Sequence, residues 1–138
     1  MTLSEFITKY DRKIVDYDGA YGAQCVDLFR QHSKDVLGIK EHTGAVSGAK
    51  DLFLNFDNMP LMRKYFVKTC TPCIGDIVVW NATKGNRYGH VAIVLTNLGK
   101  DLIVFEQDGF TQDGAKLNIR TTTGVAGFLR SKVWAKSM

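Results

Sequence analysis

The chain has 138 residues, 45% of them hydrophobic and 23% charged, which suits one globular domain with its own core and is too short for two comfortable ones. Two prolines, and no low-complexity or solenoid-length repeat, argue against a stalk, a disordered chain or a repeat array. The net charge of +4 favours anionic surfaces, but the basic residues are scattered (Arg12, Arg63, Lys84, Arg130), so nucleic-acid binding is not expected.

In chain order, Met1 to Tyr10 lacks the basic segment and apolar core of a signal peptide, and no apolar run approaches the roughly 20 residues that span a bilayer. The expectation is a protein made without a leader and without membrane insertion. Ser4 is placed to cap a short helix ending at Tyr10. The most informative stretch follows, Asp16-Tyr17-Asp18-Gly19-Ala20-Tyr21-Gly22-Ala23-Gln24-Cys25-Val26-Asp27-Leu28, where an acidic, glycine-rich turn runs into an apolar helix. A helix start carries unpaired N–H groups and a positive dipole end, which favour a thiolate over a thiol. That helix runs from Gln24 or Cys25, with Leu28, Phe29, Val36 and Leu37 on its apolar face, His32 on its exposed side, and Gly38 as its stop. His42 falls in a loop, and the spacing of Ala49, Leu52, Phe53 and Phe56 predicts a third helix over 45–56.

The second half reads as strands: Ile77–Trp80, His90–Leu95, Leu102–Glu106, Leu117–Arg120 and Val125–Arg130, separated by Gly-, Asn- and Asp-rich turns. The continuous apolar run after His90 predicts a central strand buried on both faces. Helices first and antiparallel strands afterwards describe an α+β domain. Cys70 and Cys73 stand ahead of a strand, not a helix, and no second ligand pair matches their spacing; loop thiols are expected, with a disulfide or metal pair as the alternatives. Cys25, then His90, then the acidic and amide groups of Glu106-Gln107-Asp108 give the order of a thiol hydrolase. Trp80, Tyr88 and Phe110 lie near the same strand ends, as core or as walls of a groove.

Four segments together carry a family likeness. Asp18-Gly19 through Gln24-Cys25-Val26-Asp27-Leu28, Gly75-Asp76-Ile77-Val78-Val79-Trp80, Tyr88-Gly89-His90-Val91-Ala92 and Glu106-Gln107-Asp108 resemble the CHAP family of cysteine peptidases and amidases. The likeness spans roughly residues 12–130 of a single domain over 1–138. It implies a papain-like, NlpC/P60-like fold with N-terminal helices packed on an antiparallel sheet. It also implies hydrolysis of an amide bond in peptidoglycan, as in phage endolysins, tail lysins and autolysins. Cys25 is then the nucleophile, His90 its base and later the acid for the leaving amine, and Glu106 the group that orients the imidazole. The Cys25 N–H and the Gln24 side chain are candidate oxyanion donors. Some members carry asparagine where this chain has Asp108, which accepts a hydrogen bond but donates none, so its role is left open.

Asp16, Asp18, Ala20, Gly22 and Asp27 fall at positions 1, 3, 5, 7 and 12 of a loop, as in an EF-hand, although Tyr21 stands where the EF-hand has glycine and Asp27 where it has glutamate. The resemblance to calcium loops of CHAP endolysins makes a structural Ca2+ the expected cofactor, with a solvated acidic turn as the plainer reading. Endopeptidase action is favoured over N-acetylmuramoyl-L-alanine amidase action, and a non-catalytic calcium-binding virion or wall module is the third reading. Peptidoglycan is the expected substrate. Delivery from the host cytoplasm to the wall by a holin or a virion tail, and a monomeric domain, complete the expectations.

Overall fold

The Thr2 hydroxyl accepts the Glu5 N–H (3.1 Å), and the Glu5 carboxylate accepts the Thr2 N–H (2.8 Å). This reciprocal cap starts α1 (Leu3–Tyr10), so Thr2 takes the role assigned to Ser4, which lies inside the helix. The computed structural model describes residues 1–19 and 24–133. α2 (Cys25–Asp35) opens after Gln24, whose N–H donates to the Asp27 carboxylate at 2.9 Å, and Gly38 follows its end with a φ of 70°. The face of α2 that packs on the sheet carries Leu28, Phe29 and His32.

The helix expected over 45–56 shrinks to α3 (Asp51–Leu54), followed by a 3-10 turn at Phe56–Asn58. The reason is tertiary. The Lys50 N–H donates to the Tyr88 carbonyl (3.0 Å), and a Cβ on Gly48 would stand 2.8 Å from that same oxygen. Residues 48–50 therefore follow the Tyr88 backbone. Pro60 then begins α4 (Pro60–Tyr65), a first-turn position where its missing N–H costs nothing, and the chain passes directly into β1 (Phe66–Thr69). Neither element was expected from the sequence.

β2 (Ile77–Trp80), β3 (His90–Asn97), β4 (Asp101–Glu106), β5 (Lys116–Thr121) and β6 (Val125–Ser131) complete an antiparallel sheet of order β1-β6-β2-β3-β4-β5. β3 is central, as its apolar run implies. One sheet face, with Ile77, Val79, Val91, Ile93 and Phe105, shares a core with Phe6, Leu28, Phe29 and Leu52 of the helices. The other face buries Val78, Trp80, Ala92, Val94, Leu102 and Val104 together against Val125 and Phe128, with no helical residue among them. These are the helices and antiparallel sheet of the expected α+β class. Asp76 is buried and accepts Arg130 through Nη2 (2.8 Å) and Nε (3.0 Å), and also the Cys73 N–H (2.7 Å), which fixes the loop carrying Cys70 and Cys73 as exposed free thiols. Among the described residues, no helix is long and apolar enough to cross a membrane.

His32 is a correction. It is buried, with its ring edge-on to Phe6 at 5.5 Å and Nδ1 lacking a hydrogen-bond partner. Burial lowers its pKa to about 4, only partly opposed by Asp35. The folded state holds a neutral imidazole that the unfolded chain protonates below 6.5. Stability is therefore full above that value and falls as the pH drops toward 4. At about 1.4 kcal/mol per unit, the loss is on the order of 3 kcal/mol. Thermal melts of His32→Phe across this window should show a flatter pH dependence than the wild type; parallel curves would contradict the assignment.

Candidate active site

Three elements converge at one end of the sheet: Cys25 is the first residue of α2, His90 the first of β3 and Glu106 the last of β4. His90 Nε2 meets Glu106 Oε1 at 3.1 Å, and the ring also hydrogen-bonds the Cys25 side chain, which leaves Nδ1 as the edge toward the thiol. Trp80, the β2 residue paired with His90, lies against the imidazole with ring centroids 5.5 Å apart. Cys25 is half-buried, whereas His90 is 9% and Glu106 1% exposed.

Glu106 is the most heavily bonded group here. Asn118 Nδ2 donates to Oε2 (3.0 Å), Arg120 Nη2 donates to Oε2 (3.0 Å) and Arg120 Nε donates to Oε1. Burial disfavours the charged carboxylate, but the hydrogen bonds from His90, Arg120 and Asn118 outweigh it and hold the pKa at about 2. For His90, burial likewise disfavours charge, yet the bonds to Cys25 and Glu106 prevail and lift the imidazole to about 9. His90 thus carries its proton at neutral pH. Its contribution to stability is complete below 6.5 and lost as the pH rises through about 9. That of Glu106 is complete above 4.5 and lost as the pH falls through about 2.

The turn before His90 needs its glycine. Gly89 has a φ of 74°, and a Cβ there would run into the Trp80 carbonyl and lie 2.8 Å from Lys50 Cβ. Asn86 closes the turn from the other side, donating Nδ2 to the Gly89 carbonyl at 2.8 Å.

Gln107 is a site residue whose role the sequence reading missed. It is 1% exposed, accepts the Val15 N–H at Oε1 (2.7 Å), and donates Nε2 to the Val15 (2.7 Å) and Gln24 (3.0 Å) carbonyls. One buried amide on the end of β4 thereby ties down both ends of the loop that precedes Cys25. Asp108 sits at the cleft mouth, but its carboxylate accepts the Phe110 N–H (2.8 Å), and the imidazole partner is Glu106. Gln24 lines the same cleft, a space of about 100 Å3 shared with Cys25, His90, Asp108 and the exposed Tyr88 and Phe110. Larger hollows flank it: about 450 Å3 beside Arg30 and His42, and about 500 Å3 beside Trp80 and Arg120. Trp80 is a buried core residue with one edge on the groove. Tyr88 and Phe110 are walls of the cleft.

Asp16, Asp18 and Asp27 bring carboxylate oxygens within 4.8 Å of one another. Asp27 is driven up to about 6, first by burial and then by the charges of Asp18 and Asp16, against backbone bonds from Gln24 and Tyr17. These are hard oxygen donors whose mutual repulsion the neighbouring Arg30 guanidinium offsets only in part, and a divalent cation such as Ca2+ would satisfy them. The two main-chain positions of the expected loop, Ala20 and Gly22, lie outside the described residues.

A helix-start cysteine, a strand-start histidine and a buried acid on an α+β frame define the papain-like class of fold. The CHAP domain model matches residues 15–108, and the chain belongs to the CHAP family. It is 34% identical, in an 87-residue alignment that covers 57% of this chain, to "Endolysin PlyTW" of Staphylococcus phage Twort (strain DSM 17442 / HER 48). The matched segment spans only 16% of that relative. The structure is similar to that of a wild type endolysin, LysIME-EF1, with a TM-score of 0.63 and 19% identity over 94% of this chain and 64% of the other. Ly7917 shares the fold at a TM-score of 0.57 and 20% identity, over 78% of this chain and 53% of its own.

Gln107→Ala strips three hydrogen bonds from buried backbone groups, each worth about 1 kcal/mol net and more where the group stays dry. We expect a melting temperature lower by several degrees and slower alkylation of Cys25 with Cys70 and Cys73 unchanged. A wild-type melting curve would contradict the tether.

Proposed function

We propose that this chain is a peptidoglycan hydrolase domain of the phage lysin type, cutting an amide bond of the wall through Cys25. The observation that carries this reading is His90, held between the Cys25 thiol and the buried Glu106 and charged at neutral pH. CHAP membership and the likeness to endolysins supply the substrate class.

An amide carbonyl is a poor electrophile, so the nucleophile must be ready before the substrate arrives. The imidazolium of His90 stabilises a thiolate on Cys25. Sulfur attacks the carbonyl, and the tetrahedral oxyanion is met by the Cys25 N–H at the start of α2, with the Gln24 side chain as a second donor. His90 then passes its proton to the departing amine, leaving a thioester on Cys25. Neutral His90 next takes a proton from water as the water oxygen attacks the thioester, and collapse frees the product acid and restores the Cys25 thiolate beside the His90 imidazolium. Glu106 keeps the ring aimed throughout. The preferred bond is in the peptide stem or cross-bridge, with the muramoyl-L-alanine amide as the alternative. A Ca2+ held by Asp16, Asp18 and Asp27, with main-chain oxygens of Ala20 and Gly22, would stiffen the loop ahead of Cys25 and take no part in the chemistry.

Purified Gram-positive walls should be cleared by the wild type and not by Cys25→Ala, with a loss of at least about a thousandfold, the scale for removing a covalent nucleophile. Equal clearing by the two proteins would overturn the mechanism. New N-terminal amino groups on stem or bridge residues are expected among the products; free lactyl-bearing glycan would assign the amidase reaction instead.

Calcium should raise the melting temperature of the wild type but not that of Asp16→Ala, read by thermal shift with and without chelator. An equal rise in both would remove the ion from the account.

A further inference from the structure

The strand opposite Glu106 contributes more than a wall. β5 alternates in and out, so Asn118 and Arg120 project to the same side, toward the carboxylate at the end of β4. Glu106 Oε1 receives His90 Nε2 and Arg120 Nε, while Oε2 receives Asn118 Nδ2 and Arg120 Nη2. A carboxylate has about four lone-pair sites, and all four are engaged. Turning Glu106 to any other rotamer would break the whole set.

Arg120 is itself fixed. Its guanidinium carbon lies 5.8 Å from the centroid of the Trp80 ring, which on its other contact packs against His90. The Trp80 indole N–H donates to the carbonyl of Thr121, the residue after Arg120 (3.1 Å). One buried indole thus sets the positions of the imidazole and the guanidinium together.

We propose that Arg120 is a positioning residue for the thiol site, clamping and neutralising Glu106 so that this carboxylate aims His90 without holding its proton too tightly. The inference rests on the reading of Cys25 and His90 as the reacting pair. The charged and titratable groups facing His90 are Cys25 from α2, Glu106 from β4 and, one step behind it, Arg120 from β5. Asp108 and Tyr88 stand at the cleft mouth, and Lys50, whose stem touches Gly89, turns its ammonium to Asp51 (3.4 Å). Arg120 sets a guanidinium on both oxygens of Glu106, the same carboxylate that receives His90 Nε2. An uncompensated Glu106 would hold the imidazolium proton harder, and that is the proton the leaving amine must receive. Arg120 touches no reacting atom.

The test uses Arg120→Gln and Arg120→Lys in the full chain, with His90 titrated by NMR of its ring and kcat and KM measured on wall-derived muropeptides. For Arg120→Gln the His90 midpoint should rise by about half a unit or more. Its kcat should fall on the order of tenfold, the scale for losing a residue that supports a site ligand, with KM little changed. Arg120→Lys restores the charge but not the fork, so its His90 midpoint should return to that of the wild type while kcat stays reduced. An unmoved midpoint or a wild-type kcat in folded Arg120→Gln would overturn the proposal. If that variant does not fold, Arg120→Lys decides: a reduced kcat with a normal midpoint supports the clamp, and a wild-type kcat overturns it. Muropeptides left intact by the wild type itself would instead count against the hydrolase reading, while the NMR titration would still decide the role of Arg120.

Discussion

Taking a carboxylate out of water costs several kcal/mol unless its lone pairs are met, and Glu106 is 1% exposed with all of them met. The site depends on that satisfaction. Glu106 is at the last position of β4, so its side chain is placed by the unbroken β4–β5 ladder, in which it pairs with Lys116, while the β3–β4 ladder is bulged between Val94 and Thr96 and pairs Ile93 with the neighbouring Phe105. Because the acid cannot move, the imidazole across from it cannot either, and the thiol at the head of α2 meets a ring of fixed direction. The charge on His90 is a property of this packing as much as of the histidine.

The two sides of the sheet divide the labour. The helical side carries the main core and docks α2 against β3, which sets the depth of Cys25. The opposite side, with no helical residue in its core among the described residues, buries Trp80 and leads to Asn118 and Arg120. Gln107 links the two. It follows Glu106 in the chain, yet its amide reaches the segment on each side of the acidic loop. The end of β4 therefore positions both the partner of His90 and the segment that leads to Cys25. Asp27, raised by burial and by Asp18 and Asp16, lies in the first turn of α2, just after the Gln24 carbonyl that this glutamine holds.

Much of this could be read from the chain because the deciding features are local. Cys25, His90 and Glu106 each stand at an element boundary marked by glycine or by the end of an apolar run, and β3 announced its central place by burying successive residues. The missed parts depend on contacts distant in sequence. β1 exists because Phe66–Thr69 finds β6, and the third helix was cut short because Gly48 and Lys50 are held by Tyr88. In the sequence Arg120 is only the end of a strand, and its role emerges once β5 pairs with β4. His32 is a different failure. Its spacing from Leu28 and Phe29 puts it on the apolar face, and the polarity of the side chain was given more weight than the helical period. Asp108 was marked because some CHAP members carry asparagine there, with its role left open; its carboxylate accepts the Phe110 N–H of its own turn.

The central claim is that Glu106 keeps His90 charged and aimed, and that this is what makes Cys25 reactive. The chain carries its own reference thiols, since Cys70 and Cys73 are exposed and remote from the site. The most direct measurement is the rate of iodoacetamide alkylation at each cysteine near pH 7, by mass spectrometry, in the wild type and in Glu106→Gln. The account predicts that Cys25 reacts faster than both reference thiols although it is less exposed, and that the substitution removes this advantage while the other two rates hold. A Cys25 no faster than Cys70 and Cys73 in the wild type, or one unaffected by Glu106→Gln, would contradict it.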